Sequence, residues 1–324
     1  MNRVRFLEWK PLVVILGATA VGKTEISLQL AECFGGEIVS ADSRLLYRGM
    51  DIGTAKPSIA ERSRTPHHLI DVVDPDQVWS LGTYKLEAQR VIDEVQARGS
   101  LPFLVGGTGQ YMRAVIQGWT IPAVKPQARL REALFAWTEE IGSAGLHERL
   151  ACLDPEAADR IDYRNLRRTI RALEVIFCTG KRFSEQRRKE PSRYNSLQLG
   201  LHRPRDELYA RVDARIESML EAGLVSEVRN LLEQGYSPDL PTLSAIGYHE
   251  IISHLAGEIT LDEAVQEIQR NTRTFVRRQA NWFKPDDPNI HWFKVGAETL
   301  SEMSEMIGKW LCDVGTSSTG LEIG

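Results

Sequence analysis

Cysteine is rare in this sequence, and it contains no long apolar run. The four cysteines are scattered over 324 residues without the spacing of a metal site or a disulfide framework. We therefore expect reduced thiols in a cytoplasmic protein. No apolar stretch approaches the length that spans a membrane, and residues 1–10 lack the apolar core of a secretion signal. These absences argue against a membrane partner.

The chain also lacks a large excess of charge of either sign. Its formal net charge of −4 argues against indiscriminate binding to nucleic acid. The charge is uneven, however, because residues 160–194 contain 11 Lys or Arg and only 4 Asp or Glu. A local basic surface on an acidic protein favours one chosen RNA over RNA in general. A solvated helical surface without a ligand is the alternative interpretation.

A glycine-rich loop after an apolar strand is the most informative pattern present. Residues 17–24 read G-A-T-A-V-G-K-T and follow the apolar run 11–16. In such loops successive backbone N–H groups face an anion, and the following helix adds its positive end. Lys23 would reach the terminal phosphates, and the Thr24 hydroxyl would ligate Mg²⁺. A plain glycine turn is the alternative. The predicted polyphosphate site consists of Gly17, Ala18, Thr19, Ala20, Val21, Gly22, Lys23 and Thr24.

Two further predicted strands end beside this loop. Residues 37–42, E-I-V-S-A-D, place Asp42 at the carboxyl end of a strand, and residues 101–105 lead into a second glycine turn, 106–109. Ligands of open α/β sheets bind at the carboxyl ends of parallel strands, so we expect these groups to converge on one cleft. The predicted fold class is α/β, with a parallel sheet of the P-loop kinase type.

The α/β alternation lapses in the middle of the chain. Residues 121–194 have a helical pattern, including a long helix that Asp154 and Pro155 begin. We interpret this segment as a small, all-helical insertion domain. The chain is long enough for two domains. The predicted organisation is a core of residues 1–120, the insertion 121–194, completion of the core with C-terminal helices over 195–312, and a disordered tail, 313–324.

Five segments of the chain form a distinctive set. They are the phosphate loop; residues 42–57, D-S-R-L-L-Y-R-G-M-D-I-G-T-A-K-P; residues 104–111, L-V-G-G-T-G-Q-Y; residues 171–175, R-A-L-E-V; and residues 245–248, A-I-G-Y. In this order they resemble the bacterial tRNA dimethylallyltransferases, the MiaA family. The resemblance covers nearly the whole chain, and its Y-R-G-M-D-I-G-T-A-K-P stretch is unusual outside that family.

The resemblance implies an activity. The family moves a dimethylallyl group from dimethylallyl diphosphate to the N6 amine of the tRNA adenosine on the 3′ side of the anticodon, and releases diphosphate. The leaving diphosphate needs cations, and the amine must lose a proton. By resemblance Asp42 is the base, although it could instead orient an acceptor or help to hold Mg²⁺. Arg215 matches the family's catalytic arginine and would act beside Lys23.

Other site residues follow from the same resemblance. Thr19 and Thr108 are short hydroxyl donors suited to the diphosphate or the incoming base, or they only cap their turns. The helical insertion would help to bind the tRNA, and no obligate protein partner is evident. The expected tRNA contacts are Asp42, Ser43, Arg44, Leu45, Thr108, Arg129, Arg167, Arg168, Thr169, Ile170, Arg171, Ala245, Ile246, Gly247, Tyr248, His249 and Glu250.

Three other functions remain open at this stage. An adenylate prenyltransferase would use a free nucleotide and would need no basic insertion. A small-molecule kinase that uses ATP would explain the phosphate loop and Asp42, but not the basic insertion. A non-catalytic RNA-binding regulator is disfavoured because Lys23, Thr24 and Asp42 are all present. The adjacent His67 and His68 lack a third ligand at metal spacing, so we predict no zinc site.

Overall fold

The computed structural model describes residues 9–122, 124–186 and 190–317. The chain forms two compact units. The first, here called the core unit, combines the residues up to Ile116 with those from Arg193 onward. The second, the helical unit, is Gln117–Ser192. The helical unit therefore interrupts the core unit once along the sequence.

A single parallel sheet organises the core unit. Its strand order is β3-β2-β4-β1-β5-β6, and every pair of neighbouring strands is parallel. The strands are β1, Pro11–Gly17; β2, Gly36–Ser40; β3, His67–His68; β4, Leu101–Gly106; β5, Asn195–His202; and β6, Ile290–Lys294. This confirms the predicted α/β class.

Helices join and cover these strands. In the core unit they are α1, Lys23–Phe34; α2, Ile59–Arg64; α3, Leu81–Ala97; α4, Gly109–Ile116; α9, Arg205–Glu221; α10, Leu224–Glu233; α11, Tyr248–Leu255; α12, Leu261–Ala280; and α13, Thr299–Ser317. In the helical unit they are α5, Ala128–Leu153; α6, Pro155–Arg160; α7, Leu166–Thr179; and α8, Phe183–Gln186.

Strand β1 lies inside the sheet, between β4 and β5. All seven of its residues, P-L-V-V-I-L-G, are buried. An uninterrupted apolar run of this kind is typical of a parallel strand that is covered on both faces. The chain leaves β1 toward β2 on one side and later returns to β5 on the other side. The carboxyl end of β1 is thus a topological switch point, where open α/β sheets bind ligands.

The helical unit has its own small apolar core. It is built around Leu134, Leu146, Leu150, Ile170 and Leu173. A buried carboxylate, Glu174, lies beside this core. It accepts hydrogen bonds from Arg131 Nε at 2.9 Å, Arg171 Nη1 at 2.6 Å and the Gln127 N–H at 2.7 Å.

Two predictions of local structure are wrong. The helix that begins after Asp154 ends at Arg160, because Asn165 caps a new helix by accepting a hydrogen bond from the Arg168 N–H at 3.3 Å. The predicted tail also begins too early, since α13 continues to Ser317. Each residue added to an existing helix gains a backbone hydrogen bond without the cost of nucleation. Residues 318–324 lie outside the described part of the chain. Within the described ranges, no helix has the length and apolarity to cross a bilayer.

Glu174 provides a test of the helical unit. Glu174→Ala should lower the free energy of unfolding by about 2 kcal/mol or more, because it leaves four donor groups of three residues without their buried acceptor. Arg131 and Arg171 are themselves about one-third exposed, which keeps the loss below that of a fully buried pair. Urea unfolding followed by circular dichroism measures the change. Glu156→Ala is the control, since Glu156 pairs with Arg160 in solvent and should change stability by less than about 1 kcal/mol.

The same carboxylate predicts a pH dependence. Burial raises the pKa of Glu174, but the hydrogen bonds from Arg131, the Gln127 N–H and Arg171 outweigh it and lower the pKa to about 2. The pKa of Glu174 in the folded state is below its unfolded value of 4.5. Ionised Glu174 therefore stabilises the folded state above pH 4.5, and this stabilisation is lost as the pH falls toward 2. Wild type should therefore lose stability faster than Glu174→Gln over this range. If the free energy of unfolding fell equally with pH in both proteins, the lowered pKa of Glu174 would be contradicted.

Candidate active site

The loop from β1 to α1 has the backbone of a phosphate-binding loop. Gly22 caps α1 with φ 112° and ψ 19°, and no side chain caps this end of the helix. A positive φ of this size is readily available only to glycine. It lets the chain turn directly into the helix while the first N–H groups of α1 remain open to an anion.

Lys23 folds back over this loop. Its ammonium donates hydrogen bonds to the carbonyl oxygens of Gly17 at 3.0 Å and Ala18 at 2.8 Å. Burial lowers the pKa of Lys23 to about 8, while the Asp42 carboxylate raises it and the Arg215 guanidinium lowers it further. Lys23 therefore belongs to the same charged group as Asp42 and Arg215.

Arg215 brings a second cation to the site from α9. Burial lowers its pKa, Asp42 raises it, and Arg211 one turn earlier lowers it. Arg215, Asp42 and the loop residue Thr19 all line one cavity. The structure thus brings together residues that lie up to 196 positions apart in the sequence.

Asp42 follows β2 and is oriented by its own turn. Its Oδ1 accepts a hydrogen bond from the Arg44 N–H at 2.9 Å. Within the described part of the chain, Oδ2 of Asp42 has no hydrogen-bond partner. Two buried tyrosines pack near it: Tyr84 and Tyr111 stack with their ring centroids 3.8 Å apart. Burial and then the neighbouring Tyr111 and Asp42 raise the pKa of Tyr84, so its hydroxyl stays protonated.

The second glycine turn meets the first through hydrogen bonds. Thr108 Oγ1 accepts a hydrogen bond from the Ser43 N–H at 3.1 Å, which fixes the turn after Asp42. On the other side, Gln279 of α12 accepts from the Thr19 N–H at 2.8 Å and donates to the Gly107 carbonyl at 3.2 Å. One carboxamide therefore sets the separation of the two loops.

The resulting cavity has a volume of about 270 Å³. Its lining combines polar residues, among them Asp42, Arg44 and Arg215, with apolar side chains that come mostly from α9 and α12. The residues that line it are Thr19, Asp42, Ser43, Arg44, Gly53, Thr54, Thr108, Val212, Arg215, Ile216, Met219, Ser244, Ala245, Ile246, Gly247, Ile268, Thr272 and Phe275.

Three supporting residues could not be identified from the sequence pattern. Arg211 donates to the Ala20 carbonyl at 2.8 Å, and Arg203 donates to the Val21 carbonyl at 2.9 Å. With Gln279 they hold the phosphate loop from outside. The only signal for the two arginines is their position after β5, the neighbour of β1. No local signal exists for Gln279, which lies 260 residues from its partner Thr19.

The predicted tRNA contacts of the core unit divide into two groups. Ser43, Arg44, Thr108 and residues 245–247 line the cavity, and His249 is exposed. Leu45 is partly buried. Tyr248 and Glu250, however, are buried in the core unit. Tyr248 donates to Glu227 at 2.6 Å, and Glu250 accepts from the Gly247 N–H at 2.8 Å and from Asn271 at 2.7 Å. Their side chains support the fold, which corrects their assignment as RNA contacts.

The predicted contacts of the helical unit divide in the same way. Arg129 and Arg167 are exposed, and Arg168 is partly exposed. Thr169 and Ile170 are buried, so their side chains do not face a nucleic acid. Arg171 pairs with Glu174 and donates to the Val124 carbonyl at 2.9 Å. Through Glu174, Arg171 supports this unit, and its contact with tRNA stays a prediction.

The protein oxygens at this site could hold Mg²⁺ only together with phosphates of a bound substrate. Among residues 9–122, 124–186 and 190–317, no three His, Cys, Asp or Glu side chains cluster as a metal site. The Thr24 residue is exposed at the start of α1, next to Lys23. Mg²⁺ is commonly held by one or two protein oxygens together with substrate phosphates. His67 and His68 are engaged elsewhere, with the Thr65 carbonyl and with Glu37, each at 2.7 Å.

Comparison with known proteins gives a consistent result. The chain is 51% identical to the tRNA dimethylallyltransferase of Roseiflexus sp. strain RS-1 over 93% of this chain and 99% of that protein. It also resembles the crystal structure of the full-length tRNA isopentenylpyrophosphate transferase from Bacillus halodurans, with a TM-score of 0.72, 39% identity and coverage of 95% and 99%. A eukaryotic dimethylallyltransferase acting on tRNA matches with a TM-score of 0.79 and 25% identity over 94% of this chain and 80% of that one.

The sequence profile of one family covers most of the chain. It matches residues 45–286, which include α9, the cavity wall at residues 244–247 and Gln279. The phosphate loop precedes this range but supplies Thr19 to the same cavity. On these matches the chain is a transferase and belongs to the IPP transferase family.

Proposed function

We propose that this protein transfers a dimethylallyl group from dimethylallyl diphosphate to the N6 amine of the adenosine on the 3′ side of the anticodon in tRNA. The observation that carries the proposal is the cavity whose lining combines Asp42, Arg215 and the phosphate-loop residue Thr19 with apolar side chains of α9 and α12. The reaction needs all these features: a carboxylate for the amine, cations for the diphosphate and an apolar surface for the hydrocarbon.

The donor diphosphate is assigned to the phosphate loop. Negative charge collects on the diphosphate as the allylic carbon–oxygen bond breaks, so fixed cations and N–H donors stabilise the transition state more than the ground state. Lys23 and Arg215 are such cations, and both are electrostatically coupled to Asp42. The open N–H groups at the start of α1 add further donors.

The dimethylallyl chain is assigned to the apolar side chains of α9 and α12 that line the cavity. Val212, Ile216 and Met219 of α9 lie there with Ile268 and Phe275 of α12. Branched and aromatic side chains of this kind suit a five-carbon hydrocarbon. They also keep water away from an allylic centre that water would otherwise attack.

The acceptor amine is assigned to Asp42. The free Oδ2 of this carboxylate can accept the proton that the amine loses as the new carbon–nitrogen bond forms. The adenosine must leave its stack in the anticodon loop to reach the cavity. Ser43, Arg44 and residues 245–247 line the cavity beside Asp42 and would contact the base or its neighbours.

Mg²⁺ is the proposed metal. The Thr24 hydroxyl would hold it jointly with the donor phosphates. When bound, the ion neutralises part of the charge on the leaving diphosphate. Lys23 and Arg215 would act in the same direction.

One assay separates this function from its alternatives. The protein is incubated with Mg²⁺ and dimethylallyl diphosphate together with unmodified tRNA or AMP, and separately with ATP and tRNA. Digestion of the RNA to nucleosides followed by mass spectrometry should detect dimethylallyl-adenosine only with dimethylallyl diphosphate and tRNA. Modification of AMP in preference to tRNA would indicate an adenylate prenyltransferase, and phosphate transfer from ATP would indicate a kinase.

Asp42→Asn should lower the single-turnover rate by roughly two to four orders of magnitude, the usual contribution of a general base. The amide keeps the acceptor for the Arg44 N–H, so tRNA affinity should stay within several-fold. Asp239→Asn, an exposed position of the core unit, is the control. A rate near wild type would remove Asp42 from the role of base.

The pKa of Lys23 predicts how kcat/KM for the donor depends on pH. Only protonated Lys23 attracts the diphosphate, and burial lowers its pKa to about 8. The wild-type kcat/KM for the donor should therefore fall above about pH 8, and Lys23→Arg should move this fall to higher pH.

Lys23→Ala and Arg215→Ala should each lower the single-turnover rate at saturating donor, whereas Lys309→Ala should not. A change in donor KM alone would indicate uniform binding.

The helical unit predicts a salt dependence. Arg167→Gln with Arg168→Gln removes two cations that carry no partner in the described part of the chain. If they contact phosphate, the logarithmic salt slope of tRNA binding should fall by up to about two. Donor affinity without tRNA should not change. Arg149→Gln with Arg160→Gln makes the same change of charge on other helices of this unit, and an equal effect there would exclude a specific contact.

A further inference from the structure

The stretch Y-R-G-M-D-I-G-T-A-K-P, residues 47–57, supplies no catalytic group to the proposed reaction. Two of its residues, Gly53 and Thr54, nevertheless line the cavity. The stretch folds as a tight turn, in which the Thr54 hydroxyl donates to the Met50 carbonyl at 2.6 Å and the Lys56 N–H donates to the Asp51 carbonyl at 2.9 Å. The position of Gly53 and Thr54 in the cavity therefore depends on how this turn is attached to the rest of the core unit.

A carboxylate from α10 binds the tip of this turn, residues 51–53. Glu227 Oε2 accepts hydrogen bonds from the N–H groups of Asp51 at 3.0 Å and Ile52 at 2.7 Å. Its Oε1 accepts from the Gly53 N–H at 3.1 Å and from the Tyr248 hydroxyl at 2.6 Å. A carboxylate offers about four acceptor positions, so Glu227 is fully used. Three consecutive N–H groups on one anion form a nest that an internal side chain occupies.

The Tyr248 hydroxyl, the fourth donor to Glu227, links this turn to residues 245–247 of the cavity lining. Tyr248 begins α11, directly after residues 245–247, which line the cavity. Its ring packs on Gly53 so closely that a Cβ at Gly53 would lie 2.5 Å from it. Burial and the neighbouring Glu227 raise the pKa of Tyr248, so its hydroxyl stays protonated and remains a donor. Glu227 therefore joins the turn at residues 51–54 to the turn at residues 245–247.

We propose that Glu227 is a positioning residue for the tRNA side of the cavity. This inference rests on the proposed function, in which residues 245–247 meet the acceptor. Glu227 acts through the two turns and is not itself among the residues that line the cavity. A carboxylate is required, because a carboxamide has one acceptor oxygen and its NH₂ group would face an N–H donor of the turn.

The test compares two isosteric substitutions on one helix. Glu227→Gln should lower kcat/KM for tRNA by about 100-fold, since misplacement of a substrate-positioning group by about 1 Å costs that much. Affinity for dimethylallyl diphosphate in the absence of tRNA should stay at the wild-type value, because no hydrogen bond or ion pair among the described residues joins the phosphate loop to this turn. Glu233→Gln, an exposed position at the end of α10, is the matched control and should behave as wild type.

Chemical rescue distinguishes positioning from a general loss of stability. Glu227→Ala removes the atoms of an acetate ion from the nest, so sodium acetate should restore part of the tRNA turnover, relative to sodium chloride at equal ionic strength. If Glu227→Ala and Glu227→Gln do not fold, Glu227→Asp retains the charge but withdraws it by one methylene, and should still reduce tRNA turnover without affecting donor affinity.

The outcomes separate the two proposals. A wild-type protein that prenylates no tRNA would overturn the proposed function. An active wild type whose folded Glu227→Gln or Glu227→Asp variant keeps full tRNA turnover would overturn only the role of Glu227. An equal loss of donor affinity and tRNA turnover would also overturn it, since the effect would then extend to the whole site.

Discussion

The site depends on two cations that share one carboxylate in a partly buried cavity. Lys23 and Arg215 both lose hydration, which lowers the pKa of each, and the Asp42 carboxylate is the negative group that raises both. Such an arrangement is unfavourable until an anion arrives. A diphosphate would supply that charge, and the cations would already be in place when the bond breaks. Preorganised charge of this kind stabilises a transition state without the cost of reorienting water.

The loop that carries Lys23 is held by residues from distant parts of the chain. Arg203 and Arg211 donate to its carbonyl groups, and Gln279 accepts from the Thr19 N–H while it donates to Gly107. These contacts give hydrogen-bond partners to three carbonyls and one N–H that have none in a strand or helix. The geometry of the phosphate loop therefore requires the whole core unit, including α12.

The two sides of the cavity are supported differently. The phosphate side is supported by cations and a carboxamide, whereas the opposite turns are joined by the Glu227 carboxylate. Each supporting group satisfies backbone atoms that have no partner in a strand or helix. This division would let the two substrates be bound by structurally separate parts of one cavity.

Burial explains which sequence-based assignments were wrong. Tyr248 belongs to the A-I-G-Y motif, and Glu250, Thr169 and Ile170 lie close to such motifs, but all four are inside the protein. A motif combines residues that contact a ligand with residues that hold those contacts in place, and a single sequence does not separate them. Arg171 illustrates a related limit, because the sequence does not show that Glu174 is there to pair with it.

The sequence by itself determined the parallel α/β class, the phosphate loop and the placement of Asp42 at a strand end. These follow from short-range patterns: a buried apolar run, glycines at fixed spacing and a carboxylate just beyond a strand. Arg215 was placed at this site through the family resemblance, but only the tertiary structure decided that Gln279 and Glu227 hold the turns around it. The turn residues that Glu227 binds lie 174 to 176 positions away, and the two loop residues that Gln279 binds lie 172 and 260 positions away. Contacts of that separation depend on strand order and helix packing, which leave no local pattern in the chain.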